Sequence, residues 1–217
     1  MASAAFHLPA WFDLGATFAF ALTGALAAIK RGYDIVGVFF LALAVGLGGG
    51  LIRDAAFIPG GGPTPLLTDP RYIELVVAAT IAGALFGRHV KRFHRLIAVI
   101  DALGLGAYAA FGTEKALLAG LPAPAAVLVG VINAAGGGLL RDVITREEPL
   151  VFKPGQFYVL TALAGAVTFV FLTVKLELGP TRAALVAVAV TFVFRALTIT
   201  FNWRTHSVSE LTASNGG

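Results

Sequence analysis

The sequence predicts an all-α membrane protein with seven transmembrane helices, arranged as two inverted three-helix repeats followed by a seventh helix. Composition is the first observation behind this prediction, since 58% of the 217 residues are apolar and 13% are charged, with a mean hydropathy of +0.86. Soluble domains carry about 25% charged residues. So few charges could not cover the surface of a soluble fold. Seven long apolar runs and a motif that occurs twice are the other two observations.

The seven predicted spans are apolar runs long enough to cross about 30 Å of hydrocarbon, which takes roughly 20 helical residues. They cover residues 10–29, 35–52, 72–87, 96–112, 116–140, 157–174 and 183–201. The third is short and holds Glu74 near one end, so tilt or a side chain reaching the interface must accommodate it. Met1 to Pro9 lacks a basic segment, which favours a retained first span over a cleaved signal.

Basic residues divide unequally between the two sides of the membrane. The loops after spans one, three and five, with the C-terminus, carry ten Lys and Arg residues, whereas the opposite loops carry five. The positive-inside rule therefore predicts an inner-membrane protein with its N-terminus outside and its C-terminus in the cytoplasm. The net charge of +4 is largely a topology signal and does not indicate nucleic acid. The basic stretch 88–95 is predicted to be a cytoplasmic loop, with contact to anionic lipid head groups as a second possibility.

One motif occurs twice. GGGLIRD at 48–54 recurs as GGGLLRD at 136–142, an offset of 88 with six of seven positions identical. The same offset pairs Asp13 with Asp101 and extends over the preceding span; after the motif it falls to 84. Each repeat holds three spans, about 10–87 and 96–175. Because three is odd, the second repeat is predicted to enter the membrane from the opposite side.

Residues 1–204 thus form a single predicted transmembrane domain, in which the extra helix at 183–201 lies outside the repeat. The small, polar tail at 205–217 is predicted to be disordered.

The two glycine triplets predict interruptions in spans two and five. Each glycine weakens a helix by about 1 kcal/mol relative to alanine. A kink or break would turn backbone groups toward protein or water, where they could coordinate a permeating ion. The alternative is that the glycines only allow close helix packing. Two triplets at equivalent places favour the functional break; the residues are Gly48, Gly49, Gly50, Gly136, Gly137 and Gly138.

Charged pairs follow each triplet by one helical turn, as Arg53-Asp54 and Arg141-Asp142. Arginine at this depth is costly unless it meets water or a carboxylate. The pairs are either pore-lining or gating groups, or interfacial anchors for the ends of the spans. Asp13 and Asp101 are candidate charge partners of the arginines, or helix N-caps.

The seventh span carries a polar stripe at i, i+4, i+7, i+11 spacing, formed by Thr191, Arg195, Thr198 and Asn202. Such a stripe is predicted to face the bundle interior or a trimer interface rather than lipid. The alternative is that Arg195 snorkels to the cytoplasmic side. Asn133 either adds polar lining to the pathway or makes a hydrogen bond between helices.

Catalytic and cofactor sites are not predicted. The chain has no cysteine, its four histidines lack metal-ligand spacing, and no Ser/His/Asp arrangement stands out at membrane depth. We therefore expect no enzyme activity, no cofactor and no tightly bound metal.

Two GGGxxRD motifs, in spans two and five of a seven-span chain with inverted repeats, resemble the prokaryotic trimeric intracellular cation (TRIC) channels. The resemblance covers Asp13 to about Phe201. It implies a homotrimer with one pore per protomer, lined partly by the second and fifth helices and conducting K⁺ and, less strongly, Na⁺. It carries a pore role onto the two triplets with Arg53, Asp54, Arg141 and Asp142. The Lys-Glu-Val motif of animal members is absent, so their lipid and calcium regulation is not implied.

From the residues alone the permeant ion stays open, because arginines near a pore also suit anions. The runner-up function is a secondary transporter of a small solute such as glycine, since inverted repeats suit alternating access equally well. A non-conducting trimeric scaffold is the third alternative.

Overall fold

The computed structural model describes residues 7–58, 63–87, 94–153, 157–201 and 203, and each regular element in these ranges is helical. The elements are α1 (Ala10–Lys30), α2 (Ile35–Phe57), α3 (Pro65–Thr68), α4 (Pro70–Phe86), α5 (His94–Leu118), α6 (Ala123–Ile144), α7 (Tyr158–Val170) and α8 (Pro180–Thr200). A π-helical turn at Phe171–Lys175 continues α7. The predicted all-α fold is confirmed for these ranges.

Within the described ranges, six helices are long and apolar enough to cross a membrane: α1, α2, α5, α6, α8, and α7 taken with its π-helical turn. The remaining predicted span, the third, corresponds to α4, which has 17 residues. At 1.5 Å per residue it is about 26 Å long, slightly short of a 30 Å hydrocarbon core. The protein is therefore a multi-pass membrane protein.

Local sequence signals explain where several helices begin. The Asp34 side chain accepts a hydrogen bond from the amide of Gly37 at the start of α2. The Asp69 side chain does the same for the amide of Arg71 at the start of α4, where Pro70 occupies the first helical position. These are the carboxylate N-cap and N-terminal proline that favour helix initiation.

The predicted boundary between the fourth and fifth spans is wrong. The predicted spans end at residue 112 and begin again at 116, but Glu114 and Lys115 both belong to the last turns of α5. The chain turns instead at Gly120, which has φ +85°, and α6 begins after Pro122. Glycine adopts this left-handed conformation without a Cβ penalty, so the turn is placed there.

The helices pack in two groups. α1 packs against α2 and α4, and α5 packs against α6 and α7. The groups meet through α2 with α6 and α1 with α5, and α8 covers α5 and α7. The main core cluster draws on both groups, including Phe20, Val45 and Tyr108.

The predicted glycine breaks are wrong. α2 is a continuous α-helix from Ile35 to Phe57 and α6 from Ala123 to Ile144, so both run unbroken through their triplets. All six glycines are buried. Glycine lowers the stability of each helix, but close contact between α2 and α6 adds packing energy that offsets this loss. A gate built on breaks in α2 and α6, the second and fifth predicted spans, therefore has no basis in this conformation.

Candidate ion pathway

The first ion-pair cluster joins α2 and α5. Arg53 is 1% exposed and its Nε donates to Asp54 Oδ1 at 2.7 Å. Asp54 also accepts from Lys115 Nζ on α5, at 2.8 Å to each carboxylate oxygen, and from the Thr64 hydroxyl. Asp54 is thus ion-paired with two cationic side chains, Arg53 and Lys115. This arrangement stabilises charges that would otherwise be costly to bury.

Asp13 lies beside this cluster in the first turn of α1 but is bonded differently. One of its carboxylate oxygens, Oδ2, accepts from the Tyr72 hydroxyl on α4. The predicted N-cap role is wrong, since the N-cap of α1 is Pro9. Arg53 exerts a Coulombic attraction on Asp13, but its hydrogen bonds go to Asp54 and, at 3.5 Å, to Asn133.

A cavity of about 300 Å³, here called the first cavity, opens next to this cluster. Asp13, Arg53 and Tyr72 line it together with Glu114 and Lys115. At its exposed rim, Arg71 donates hydrogen bonds to Asp69, and this lowers the pKa of the Asp69 carboxyl. The first cavity is thus lined by both charged and apolar side chains and lies at one end of the bundle.

The second ion-pair cluster joins α5 and α6. Arg141 donates from Nη1 to Asp101 at 2.9 Å and from Nε to Asp142 at 3.0 Å. Asp142 also accepts from the Leu150 amide at 3.0 Å. Asp101 is therefore a charge partner of the second arginine. Its N-cap role is wrong, because α5 begins two turns earlier at His94.

A smaller cavity of about 140 Å³, the second cavity, lies next to this cluster and is lined by Arg141 and Asp142 with Lys30, Glu147 and Lys153 among others. Asp101 and Lys115 are 14 residues apart on α5, which is about 21 Å of helix. The two clusters and their cavities thus lie toward opposite ends of the bundle.

Buried side chains fill the space between the two clusters. The rings of Phe20 and Tyr108 stack with centroids 5.2 Å apart, and both residues are 0% exposed. The Tyr108 hydroxyl donates to the backbone oxygen of Gly46 at 2.7 Å and lies 2.7 Å from the Thr17 hydroxyl. Asn133 donates to the Tyr108 backbone oxygen at 2.8 Å, so it links α5 and α6. This centre is tightly packed in the present conformation.

The glycine triplets bring α2 and α6 into direct backbone contact beside this centre. A Cβ at position 49 would lie 2.4 Å from the Asn133 backbone oxygen, and one at 137 would lie 2.5 Å from the Val45 backbone oxygen. Position 45 plus the repeat offset of 88 is position 133, so the two contacts are reciprocal. The contacts confirm the close-packing alternative for the triplets.

The polar stripe of α8 faces the bundle interior, because Thr191, Arg195 and Thr198 are all buried. The Arg195 guanidinium lies 5.2 Å from the centre of the Tyr158 ring, next to the second cluster. Thr191 is bonded to the Ala187 backbone and packs against Gly165, where it serves helix contact. Asn202 lies outside the described residues, as do the basic residues 88–93 and the tail at 205–217.

Sequence reasoning missed several members of these clusters. The predicted spans leave Glu114 and Lys115 in a loop, and the sequence pattern singles out neither Tyr72 nor Tyr158. The two tyrosines lie beside equivalent aspartates, yet they are 86 residues apart, which is neither of the offsets that the sequence alignment gave. Lys115 lies only three residues after the predicted span 96–112, so the sequence could have placed it on that helix. Its partner Asp54 is 61 residues away, so the pairing itself could not be predicted.

The chain is similar to known membrane proteins. The sequence profile described as "Glycine transporter" matches residues 10–88 and 98–174. A UPF0126 membrane protein of Deinococcus radiodurans is 34% identical over 157 residues, which is 72% of each chain. The UPF0126 inner membrane protein YadS of Escherichia coli K12 is 30% identical over 190 residues, covering 87% of this chain and 90% of YadS.

Solved structures give the same relationship. A TRIC trimeric intracellular cation channel orthologue from Rhodobacter sphaeroides has a TM-score of 0.80 at 31% identity, covering 88% of this chain and 96% of that chain. Another structure, of a TRIC cation channel, has a TM-score of 0.79 at 31% identity, with 93% and 97% covered.

The helical bundle and these likenesses define the class, a multi-pass helical membrane protein, and they support a cation channel. The chain belongs to the TRIC family, with its UPF0126 relatives and the profile described as glycine transporter.

Proposed function

We propose that the protein is a channel for monovalent cations, conducting K⁺ and also Na⁺, with one pathway in each protomer of a homotrimer. The observation that carries the proposal is the pair of Arg-Asp clusters, each beside its own cavity, at opposite ends of the contact between α2 and α6. The likeness to TRIC cation channel structures supports it.

The proposed pathway runs from the first cavity, past Phe20 and Tyr108, to the second cavity. The candidate pathway residues keep the roles expected of them in this proposal: Arg53, Asp54, Arg141 and Asp142 at the two ends, with Asp13, Asp101 and Arg195 beside them and Asn133 near the centre. Gly48, Gly49, Gly50, Gly136, Gly137 and Gly138 let the two helices approach. Thr191 supports the bundle from α8.

Cations rather than anions are proposed because of how the arginines are bonded. Arg53 and Arg141 are each hydrogen-bonded to carboxylates, which neutralises the positive potential that would attract an anion. No TVGYG segment is present, so strong K⁺ selectivity of the kind that such a filter gives is not expected.

Opening is proposed to require movement at the centre. The packing of the Phe20–Tyr108 stack and of the contacts at Gly49 and Gly137 supports a proposed constriction at this point of the path. Since the helices are continuous there, opening would proceed by relative movement of α2 and α6 as rigid helices, of the sliding kind known for packed helices.

Membrane placement follows from the same proposal. The cytoplasmic end is the one with the second cavity, where Lys30, Arg31 and Lys153 lie. The N-terminus is then outside, and α4 is a seventh span that crosses a locally thinner bilayer. The two sequence repeats would be inverted, as the reciprocal contacts at Gly49 and Gly137 favour. Membrane lipid covers the remaining apolar faces.

The function is tested by reversal potentials of the purified full chain in planar bilayers with asymmetric KCl. We expect discrete single-channel steps and a reversal potential shifted toward the K⁺ equilibrium potential, with a smaller Na⁺ permeability on ion substitution. Protein-free bilayers are the control. A shift toward the chloride equilibrium potential would overturn the proposal.

The second candidate is a secondary transporter of a small solute such as glycine, favoured by the profile description. It predicts saturable uptake of radiolabelled glycine into proteoliposomes, coupled to an ion gradient and without single-channel steps. The reversal-potential experiment and this uptake assay together separate the two functions.

A further inference from the structure

Asp13 carries a buried carboxylate oxygen that the described residues leave without a partner. The residue is 2% exposed, its Oδ2 accepts from Tyr72, and its Oδ1 has no hydrogen-bond partner among the described residues. A buried ionised oxygen is strongly destabilising unless it is compensated. Asp13 lines the first cavity, so a compensating group can reach its carboxylate from that side.

The charges around the first cavity do not balance. Four carboxylates belong to its described wall and its ion pairs, namely Asp13, Asp54, Asp69 and Glu114, against three cations, Arg53, Arg71 and Lys115. Each cation is already bonded to Asp54 or Asp69. When all seven side chains are ionised, the excess of one negative charge falls on Asp13 and Glu114.

Glu114 is held in place beside the cavity. It is 2% exposed, and its Oε1 accepts a hydrogen bond from the Leu8 amide, just ahead of α1. Unlike Asp54 and Asp69, Glu114 forms no ion pair with a described residue. Its carboxylate and that of Asp13 therefore line the same cavity as acceptors.

The equivalent aspartate of the other repeat, Asp101, has a cationic partner within the protein. Asp101 Oδ1 accepts from Arg141 Nη1 at 2.9 Å, so the protein itself supplies the cation there. Asp13 lacks this bond because Arg53 donates to Asp54 and Asn133 instead. The requirement for an external cation is thus specific to the first cavity.

We propose that the first cavity contains a binding site for one alkali-metal cation, K⁺ or Na⁺, with the carboxylates of Asp13 and Glu114 as its anionic ligands. The proposal deepens the proposed cation function and rests on it for the identity of the natural ion. Hard carboxylate and water oxygens suit alkali and alkaline-earth cations.

A monovalent ion fits better than a divalent one. The cavity has one uncompensated negative charge and three cationic side chains nearby. The described residues contain no group of three or more His, Cys, Asp or Glu placed to hold a metal ion, as a tight Ca²⁺ site would need. A volume of about 300 Å³ leaves room for the ion to keep part of its water shell.

The direct test uses thallium(I), which replaces K⁺ and is located by anomalous scattering. Crystals of the full chain are soaked in thallium(I) nitrate, for the wild type, Asp13→Asn and the matched control Asp69→Asn. We expect one peak beside Asp13 in the wild type and in the control, and its loss in Asp13→Asn. No peak in the first cavity of the wild type, or an equal peak in Asp13→Asn, would overturn the site.

A solution measurement covers the case in which Asp13→Asn does not fold or crystallise. The thermal unfolding midpoint of the wild type is measured as K⁺ replaces N-methyl-D-glucamine at constant ionic strength. We expect it to rise with K⁺ concentration. Glu114→Gln should weaken the apparent K⁺ affinity about tenfold, as loss of a charged ligand does. A midpoint independent of K⁺ in the wild type would contradict the site.

The proposed cation site and the proposed channel function can be refuted independently. Thallium bound beside Asp13 in a protein that passes no cation current would support the site and overturn the channel. Cation current together with an empty first cavity in the wild-type crystals would support the channel and overturn the site.

Discussion

Asp13, Arg53 and Asp54 at one end of the bundle occupy the positions of Asp101, Arg141 and Asp142 at the other, offset by 88 residues. The same three residue types are bonded differently. Arg141 bridges both of its aspartates, whereas Arg53 bonds only the adjacent one and leaves Asp13 to Tyr72. The two ends therefore differ in charge arrangement although they began from one motif.

The source of the difference is a pair of residues that the repeat does not share. Glu114 and Lys115 stand at one end, and the equivalent positions of the first repeat hold Leu26 and Ala27. Lys115 bonds Asp54 in the first cluster. Ala27 lines the second cavity without a charge. The two repeats thus share their helices and glycine contacts, while Glu114 and Lys115 make the two ends electrostatically distinct.

Removing each arginine in turn tests this comparison most strongly. Arg141→Met leaves Asp101 and Asp142 buried without their common cation, which should cost about 3–5 kcal/mol. Arg53→Met should cost less, because Asp54 keeps Lys115 and Thr64. The measurement is the thermal unfolding midpoint of the purified protein. Equal losses, or a larger loss for Arg53→Met, would show that Lys115 does not compensate.

Substitutions at the equivalent glycine contacts of the two repeats should have similar effects on stability. Gly49→Ala and Gly137→Ala each place a Cβ within 2.5 Å of a backbone oxygen on the other helix, and overpacking of this kind costs about 1–3 kcal/mol. Gly15→Ala is the control, since nothing lies within 4 Å of its Cβ and alanine favours the helix. We expect similar falls in unfolding midpoint for the first two and none for the third. A loss confined to one helix would break the equivalence.

Lys115→Met sharpens the electrostatic side of the comparison. Asp54 keeps Arg53, and the lysine is 27% exposed, so the expected loss of stability is only about 1 kcal/mol. Removal of the positive charge should also raise the cation-to-anion permeability ratio measured from reversal potentials. Ala27→Met, at the equivalent position, is the matched control and should leave this ratio unchanged. An unchanged ratio in Lys115→Met would show that this charge lies outside the ion path.

The smallest effect is expected at the Arg31–Glu147 pair, which joins the two repeats near the second cavity at 2.8 Å. The Arg31 guanidinium, by donating a hydrogen bond, lowers the pKa of the Glu147 carboxyl below its ordinary value of 4.5. A carboxyl whose pKa is lowered on folding stabilises the fold above its ordinary pKa, and this stabilisation is lost as the pH falls through the lowered pKa.

Because both side chains of this pair are more than a third exposed, the contribution should be about 0.5 kcal/mol. The midpoint difference between wild type and Glu147→Gln should therefore be small at pH 7 and vanish at strongly acidic pH. A difference that grows on acidification would contradict the assignment of the pair.

The sequence by itself determined the helical membrane architecture, the repeat and the family. Apolar runs of span length report burial in lipid directly, and identity at a fixed offset needs no structure to be seen. The sequence also predicted Asp101 as a candidate partner of the arginines, because Asp13 and Asp101 occupy equivalent positions in the two repeats.

Only the tertiary structure decided how the glycine triplets are used and which charges meet. Whether three glycines break a helix depends on the neighbour that packs against them, and here that neighbour lies about 88 residues away. Lys115 and Asp54 pair across 61 residues, which no local pattern encodes. Helix preference is a local property of a few residues, whereas contacts between helices and ion pairing across the bundle depend on the whole fold.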